Sequence, residues 1–265
     1  MQLAPEDLER IYGLGSMLML ASARPIGVSM LFAAFAWGHL NSGVLRAACA
    51  AAIALPVAAP YFAAPGTVLD NLPAPIILIV MKEALLGGLI GLFATVPFAI
   101  ATAGGGFIDY YRGAFMGGPD PSGGQLTPYS QLFTGVTLWL FAGLGGFWML
   151  TDTIYASYGL WPLFELLPAF GEHGIEPLMR LVGSIAKGAL IIGGPLVILM
   201  MLSDLTFLVA AKLGKQINVT FLSFSTKNVL ALAFLPLFSL VLVRLVSGNL
   251  QMLGDLEKFL RMTLQ

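Results

Sequence analysis

Six long apolar runs constrain this chain more than any other feature. They run from about Ile11 to Trp37, Val44 to Ala64, Pro75 to Ala103, Leu132 to Tyr155, Leu178 to about Ala211, and Asn228 to Val246. Each is judged against the ~20 apolar residues that cross a bilayer as a helix. The uncharged part of the last, Asn228 to Val243, is short by that measure. Charge is too scarce for any other reading. Only 10% of the 265 residues are charged, against about 25% in soluble domains. With mean hydropathy +0.88, such a surface belongs in lipid or against other subunits. The expected fold is therefore all-α, of integral membrane type.

The runs are not good lipid-facing spans. Arg24, Lys82, Glu83, Lys187 and Asp204 fall well inside them. A charge at mid-bilayer costs roughly 2.5–3.5 kcal/mol on insertion scales. Lys82 and Glu83 are sequence neighbours, so on a helix they point apart and pair poorly with each other, which leaves them in need of partners on other helices or other chains. Pro25, Pro97 and Pro195 break helical hydrogen bonds, and the freed carbonyls need partners too. Gly87 and Gly91, and Ala142 and Gly146, have the spacing of close helix contacts. Broken helices and helical hairpins packed in a larger assembly are the expectation.

Loop charge gives an orientation. Glu165, Glu172 and Glu176 lie between the fourth and fifth runs, against Arg180 alone at the start of the fifth, and Lys212, Lys215 and Lys227 lie between the fifth and sixth. The positive-inside rule puts the second of these loops in the cytoplasm and the first outside. The N-terminus is then outside, and a polar insert between the third and fourth runs is cytoplasmic. The first ten residues are acidic and lack the basic start of a signal peptide, so the first run is expected to be retained.

That insert, Gly104 to Gln131, reads GGGFIDYYRGAFMGGPDPSGGQLTPYSQ. Gly104, Gly105 and Gly106 make a poor helix interior. Pro119 and Pro121 fix the backbone around Asp120. The expectation is a loop that starts at the glycines. Asp109 and Asp120 read as turn formers more than as a carboxylate pair. No Gly-Lys-Ser/Thr follows, so the insert is no phosphate loop. Phe115 and Met116 are an apolar pair within it, suited either to filling a narrow opening or to tucking into the core.

Other chemistry is thin. His39 and His173 have no companions at metal-ligand spacing, and a metal site needs three or four ligands. Cys49 reads as a small core residue, and no Ser, His and Asp set suggests a nucleophile. No enzyme, no cofactor and, at net charge −1, no nucleic-acid partner is expected. Lys82, Glu83, Lys187 and Asp204 could form a proton or ion path; without a repeated carboxylate ladder, inter-subunit pairs or a wet lumen is the preferred reading. A secondary transporter with discontinuous helices is the competing class, but no clear inverted repeat supports it.

The insert also carries a family pattern. Ile108-Asp109-Tyr110-Tyr111-Arg112-Gly113, then Asp120-Pro121, Gly123, Gln125 and Pro128, resembles the T subunit of the type III secretion export apparatus, the SctT/FliR family. The Asp109 and Arg112 pattern looks like the non-flagellar branch. Tyr111 stands where the family usually has Gln, so a role for that amide does not carry over. Ala23-Arg24-Pro25, Leu45-Arg46, and Gln216-Ile217-Asn218-Val219 with Leu222-Ser223 and Lys227 resemble further family stretches, so the likeness spans the chain.

The resemblance implies a core subunit of a protein export gate in the bacterial inner membrane, within an apparatus that extends toward the periplasm. Its implied partners are R-type (flagellar P-like) and S-type (flagellar Q-like) subunits, with the U-type switch and V-type export proteins. Its implied cargo is unfolded secreted protein. Residues 1–177 would be a P-like part and 178–265 a Q-like hairpin and tail. The glycine-rich loop, Gly104–Gly124, would plug the channel. In that reading Gly104, Gly105, Gly106, Gly113 and Gly123 give mobility, Phe115 and Met116 a seal, Asp109 and Arg112 an anchor, and Asp120-Pro121 a turn. Arg24, Arg46, Lys82, Glu83, Lys187, Asp204, Gln216, Asn218 and Lys227 would be inter-subunit or lumen contacts.

Overall fold

A computed structural model describes residues 5–36, 42–63, 75–113, 127–165, 176–213 and 219–264. Every regular element among them is helical. The α-helices are α1 (Pro5–Leu31), α2 (Gly43–Ala58), α3 (Ile76–Tyr111), α4 (Pro128–Gly143), α5 (Gly146–Leu160), α6 (Glu176–Leu213) and α7 (Val219–Leu264). Short 3-10 turns follow α1 at Ala33–Ala36 and α2 at Ala59–Ala63.

Among the described residues, five helices are long and apolar enough to cross a membrane, within Ile11–Leu31, Gly43–Phe62, Ile76–Tyr111, Val182–Lys212 and Phe221–Gly248. The pair α4 and α5 makes a sixth if it counts as one broken span. The fourth apolar run is therefore not one helix. It breaks at Gly143–Gly145, where Gly145 takes φ +79, a conformation glycine adopts without steric cost. The sixth run proves longer than its uncharged part: α7 has 46 residues and contains Lys227, which the sequence had placed in a loop. At 1.5 Å per residue, α3 is about 54 Å long and α7 about 69 Å, well beyond a hydrocarbon core of about 30 Å.

The chain forms two compact units. The first takes in residues up to Thr95, Gly145–Pro177 and the C-terminal residues from Leu250; the second takes in Val96–Leu144 and Leu178–Asn249. Helix α3 contributes to both.

In the first unit, α1 and α3 are pressed backbone to backbone. A Cβ on Gly87 would collide with the carbonyl of Arg24, one on Gly27 with the carbonyl of Ala84, and one on Gly91 would sit 2.5 Å from the carbonyl of Val28. The Gly87/Gly91 spacing thus does what it suggests. Thr95 finishes the crossing: its hydroxyl accepts the Ala33 N–H at 3.0 Å and lies 2.6 Å from the Leu31 carbonyl at the end of α1. Pro25 inside α1 has no N–H for the Ala21 carbonyl, and the Tyr158 hydroxyl of α5 donates to that carbonyl instead, at 2.8 Å. Met17, Leu20, Phe32, Ile79, Ile90 and Ile154 are all buried in this unit.

In the second unit, α3 packs on α4 and α6 through glycines again. A Cβ on Gly105 would meet the backbone of Tyr129 and Ser130 at 2.6 Å, and one on Gly188 would meet the Ile100 side chain at 2.7 Å. Phe133 sits between Tyr129 and Phe238 in edge and tilted ring contacts.

Candidate functional site

The insert proves shorter than the sequence implied. Helix α3 runs through Gly104–Gly106 to Tyr111, and α4 begins at Pro128. The glycines are helical because packing needs them there. A side chain on Gly104 would press into Ile192, and one on Gly105 into the first turn of α4. Close approach outweighs the helix cost of about 1 kcal/mol per glycine. The connection between the two helices spans residues 112–127. Its central residues, with Phe115, Met116, Asp120, Pro121 and Gly123, lie outside the described residues.

Both ends of that connection meet at Asp109. Thr127 precedes α4 with an extended backbone but makes no side-chain cap. Asp109, reaching from α3, supplies the cap. Its Oδ2 accepts the N–H of Tyr129 at 2.7 Å and that of Ser130 at 3.4 Å. These are amides that a helix leaves unpaired in its first turn, where negative charge is also favoured. The other oxygen, Oδ1, pairs with Arg112, with Nε and Nη2 each at 2.7 Å. Arg112 also donates from Nη1 to Asn228 Oδ1 of α7 at 2.9 Å, and its guanidinium stacks 4.6 Å from the centre of the Tyr129 ring. The Asp109 carboxylate is fully buried. Along α3, Thr102, Gly105 and Asp109 share one face: the Thr102 carbonyl accepts from Ser130 Oγ at 2.9 Å, and Thr102 and Thr134 share a hydroxyl contact at 2.8 Å.

Gly113 follows at φ +80, a turn conformation that favours glycine, and a Cβ there would lie 3.6 Å from the Phe224 ring. Asp109 and Arg112 are thus brought together as the sequence proposed. Asp109 acts as a helix cap and an ion-pair partner, not as a local turn former. Asn228 is the contact that sequence reading missed. It stood at the edge of an apolar run with no motif to mark it.

The first unit holds the second polar cluster. Arg24 on α1 donates from Nε to Glu83 Oε2 at 2.7 Å and from Nη2 to Oε1 at 3.0 Å, a bidentate pair with both side chains fully buried. Its remaining donors reach Ser157 Oγ and the Trp161 carbonyl, each at 2.8 Å, and the guanidinium lies 3.9 Å from the centre of the Tyr158 ring. Lys82 also reaches Glu83, at 2.8 Å. That corrects the expectation that the two neighbours pair poorly; their flexible stems bend to the same side, drawn by Arg24 and by carbonyls. Those carbonyls, of Pro162, Leu163 and Glu165, accept from Lys82 Nζ at 2.9–3.0 Å just beyond the end of α5. Arg24, Lys82 and Glu83 therefore find partners within this chain, the first of the two alternatives, other helices or other chains, that the sequence left open.

The remaining predicted residues are dispersed. Asp204 of α6 pairs with Lys227 of α7 at 2.7 Å and accepts from Ser223 at 2.6 Å. Arg46 donates to the Phe35 carbonyl at 2.9 Å. Lys187 is exposed on α6. Gln216 and Asn218 lie outside the described residues. Among the described residues no group of three His, Cys, Asp or Glu side chains could hold a metal ion.

Comparison with known proteins gives this architecture a family. Residues 16–253 match "Bacterial export proteins, family 1". The chain is 27% identical over 182 residues to the Yop proteins translocation protein T of Yersinia pestis, covering 68% of this chain and 70% of that protein. It is 28% identical over 206 residues to the surface presentation of antigens protein SpaR of Salmonella typhimurium, covering 75% of each. The secretion system apparatus protein SsaT of the same organism is 24% identical over 217 residues, 81% of this chain and 83% of that protein. The chain belongs to the bacterial export protein family 1, the SctT/FliR family, and is a multi-span helical inner-membrane component of the type III secretion export apparatus, not an enzyme.

Proposed function

We propose that this chain is the T subunit of an export gate for unfolded proteins, and that the connection between Gly113 and Thr127 plugs the gate's channel at rest. The observation that carries the reading is Asp109. One buried carboxylate holds the end of α3, through Arg112, and the start of α4, through the Tyr129 amide. A long glycine- and proline-rich connection whose two ends are pinned together can move as a flap without disturbing the helices that carry it. The relatives' own names, a translocation protein and a secretion system apparatus protein, support protein as the cargo.

In this reading the plug begins at Gly113, not Gly104. Phe115 and Met116 seal the opening, Gly123 gives mobility, and Asp120-Pro121 sets a turn. Gly104, Gly105 and Gly106 belong to the support. The partners are R-type and S-type subunits, with the U-type switch and V-type export proteins alongside. Residues 1–177 form the P-like part and 178–265 the Q-like hairpin and tail. Lys187, exposed in an apolar helix, meets a neighbouring subunit or a wet lumen, as do Gln216 and Asn218.

Deleting Gly113–Gly118 in the assembled complex tests the plug. Ion leakage through the resting complex should rise. Unchanged leakage with assembly intact would overturn the plug.

A further inference from the structure

We infer that Phe224 and Asn228 of α7 form a seat for the end of α3, and that Asn228 is the positioning residue that keeps Arg112 on Asp109. The inference rests on the plug reading for its effect on the channel, but its geometry stands independently.

Two contacts one helical turn apart define the seat. Phe224 faces Gly113, and Asn228 accepts from Arg112 Nη1 at 2.9 Å. Residues four apart share a helix face, so both contacts come from one stripe of α7. The Asn228 amide is itself oriented. Its Nδ2 donates to the Phe224 carbonyl at 3.0 Å, which turns Oδ1 toward the guanidinium.

Arg112 is thereby held at two edges. Nε and Nη2 take Asp109 Oδ1, and Nη1 takes Asn228. Without the Asn228 acceptor one edge is released, and the guanidinium can rotate off the carboxylate. Asp109 would still cap α4 through Oδ2, so the helices remain while the first residue of the connection loosens. The same turns of α7 are anchored on the adjacent face by Ser223 and Lys227, which both contact Asp204 of α6. The seat is therefore fixed to the α6–α7 hairpin.

The test uses the complete export complex carrying this subunit with Cys49→Ala and spin labels at Tyr110→Cys and Val229→Cys, both exposed positions. Asn228→Leu, which lacks the acceptor, should broaden the label distance distribution and raise resting ion flux severalfold. Asn228→Asp, which keeps an acceptor, should retain the narrow distribution and the low flux. A narrow distribution in Asn228→Leu overturns the seat. If the Gly113–Gly118 deletion leaks and Asn228→Leu does not, the positioning role is overturned while the plug stands. If the deletion does not leak, the plug reading fails, and a broadened distribution in Asn228→Leu with a narrow one in Asn228→Asp upholds the seat as a contact alone.

Discussion

Glu83 and Asp109 are both buried carboxylates on α3, and each holds an arginine, yet they serve different ends. Glu83 gives both oxygens to cations. Arg24 takes the two of them, Lys82 shares one, and the group ties α1 to α3 and to the carbonyls beyond α5. Asp109 divides its oxygens. One holds Arg112, and the other holds the first amides of α4. In the Glu83 cluster Arg24 and Glu83 are fully buried and Lys82 is 9% exposed, whereas Arg112 keeps 15% of its side chain exposed beside a connection. The first cluster reads as a lock of the fold. The second reads as a hinge pin.

The largest effect should come from breaking the lock. Glu83→Ala leaves Arg24 fully buried, and Lys82 partly buried, without a counter-charge, and removing one partner of a buried pair costs about 3–5 kcal/mol. That approaches the whole stability of many domains, about 5–15 kcal/mol. The subunit should fail to accumulate in purified export complexes, as measured by its amount relative to its partners. Arg24→Met combined with Glu83→Met should recover more of it than either change alone. Equal losses in the double and single variants would remove the coupling from the account.

A smaller effect separates the two kinds of glycine. Gly87→Ala drives a methyl into the Arg24 carbonyl beside the lock, where overpacking costs about 1–3 kcal/mol. Gly183→Ala on α6 meets nothing within 4 Å and gains about 1 kcal/mol of helix propensity. The melting temperature of the complex should fall for the first and hold or rise for the second. A fall in both would mean that the space at Gly183 is filled by another subunit.

Much of this was legible in the chain, and the failures have physical causes. Run lengths and sparse charge pointed to a helical membrane protein, because both follow from the solvent the surface must meet. The Gly87/Gly91 spacing pointed to a close crossing, because only missing Cβ atoms permit one. The three glycines at 104–106 misled. Propensity describes an isolated helix, and here α4 and the Ile192 side chain stand where side chains would go. The pattern that reveals their role is Thr102, Gly105 and Asp109 at helical spacing on one face. Lys82 and Glu83 misled because adjacency on a helix fixes where side chains start, not where long ones end. Asn228 carried no signal of its own; its importance depends on which residue another helix brings to it.

Asp109→Ala puts the contrast between lock and hinge pin to its most direct test. Asp109→Ala removes a helix cap, worth about 0.5–2 kcal/mol, together with the counter-charge of Arg112. Arg112 keeps Asn228 as an acceptor and 15% of its side chain in solvent, so the loss should be smaller than that of Glu83→Ala, which leaves two cations without their carboxylate, and the complex should still assemble. The measurement is ion flux across membranes that hold the resting complex, normalised to the amount of complex present. The account predicts a flux above that of the unaltered complex and comparable to that of the Gly113–Gly118 deletion. Flux equal to that of the unaltered complex, with assembly intact, would contradict it.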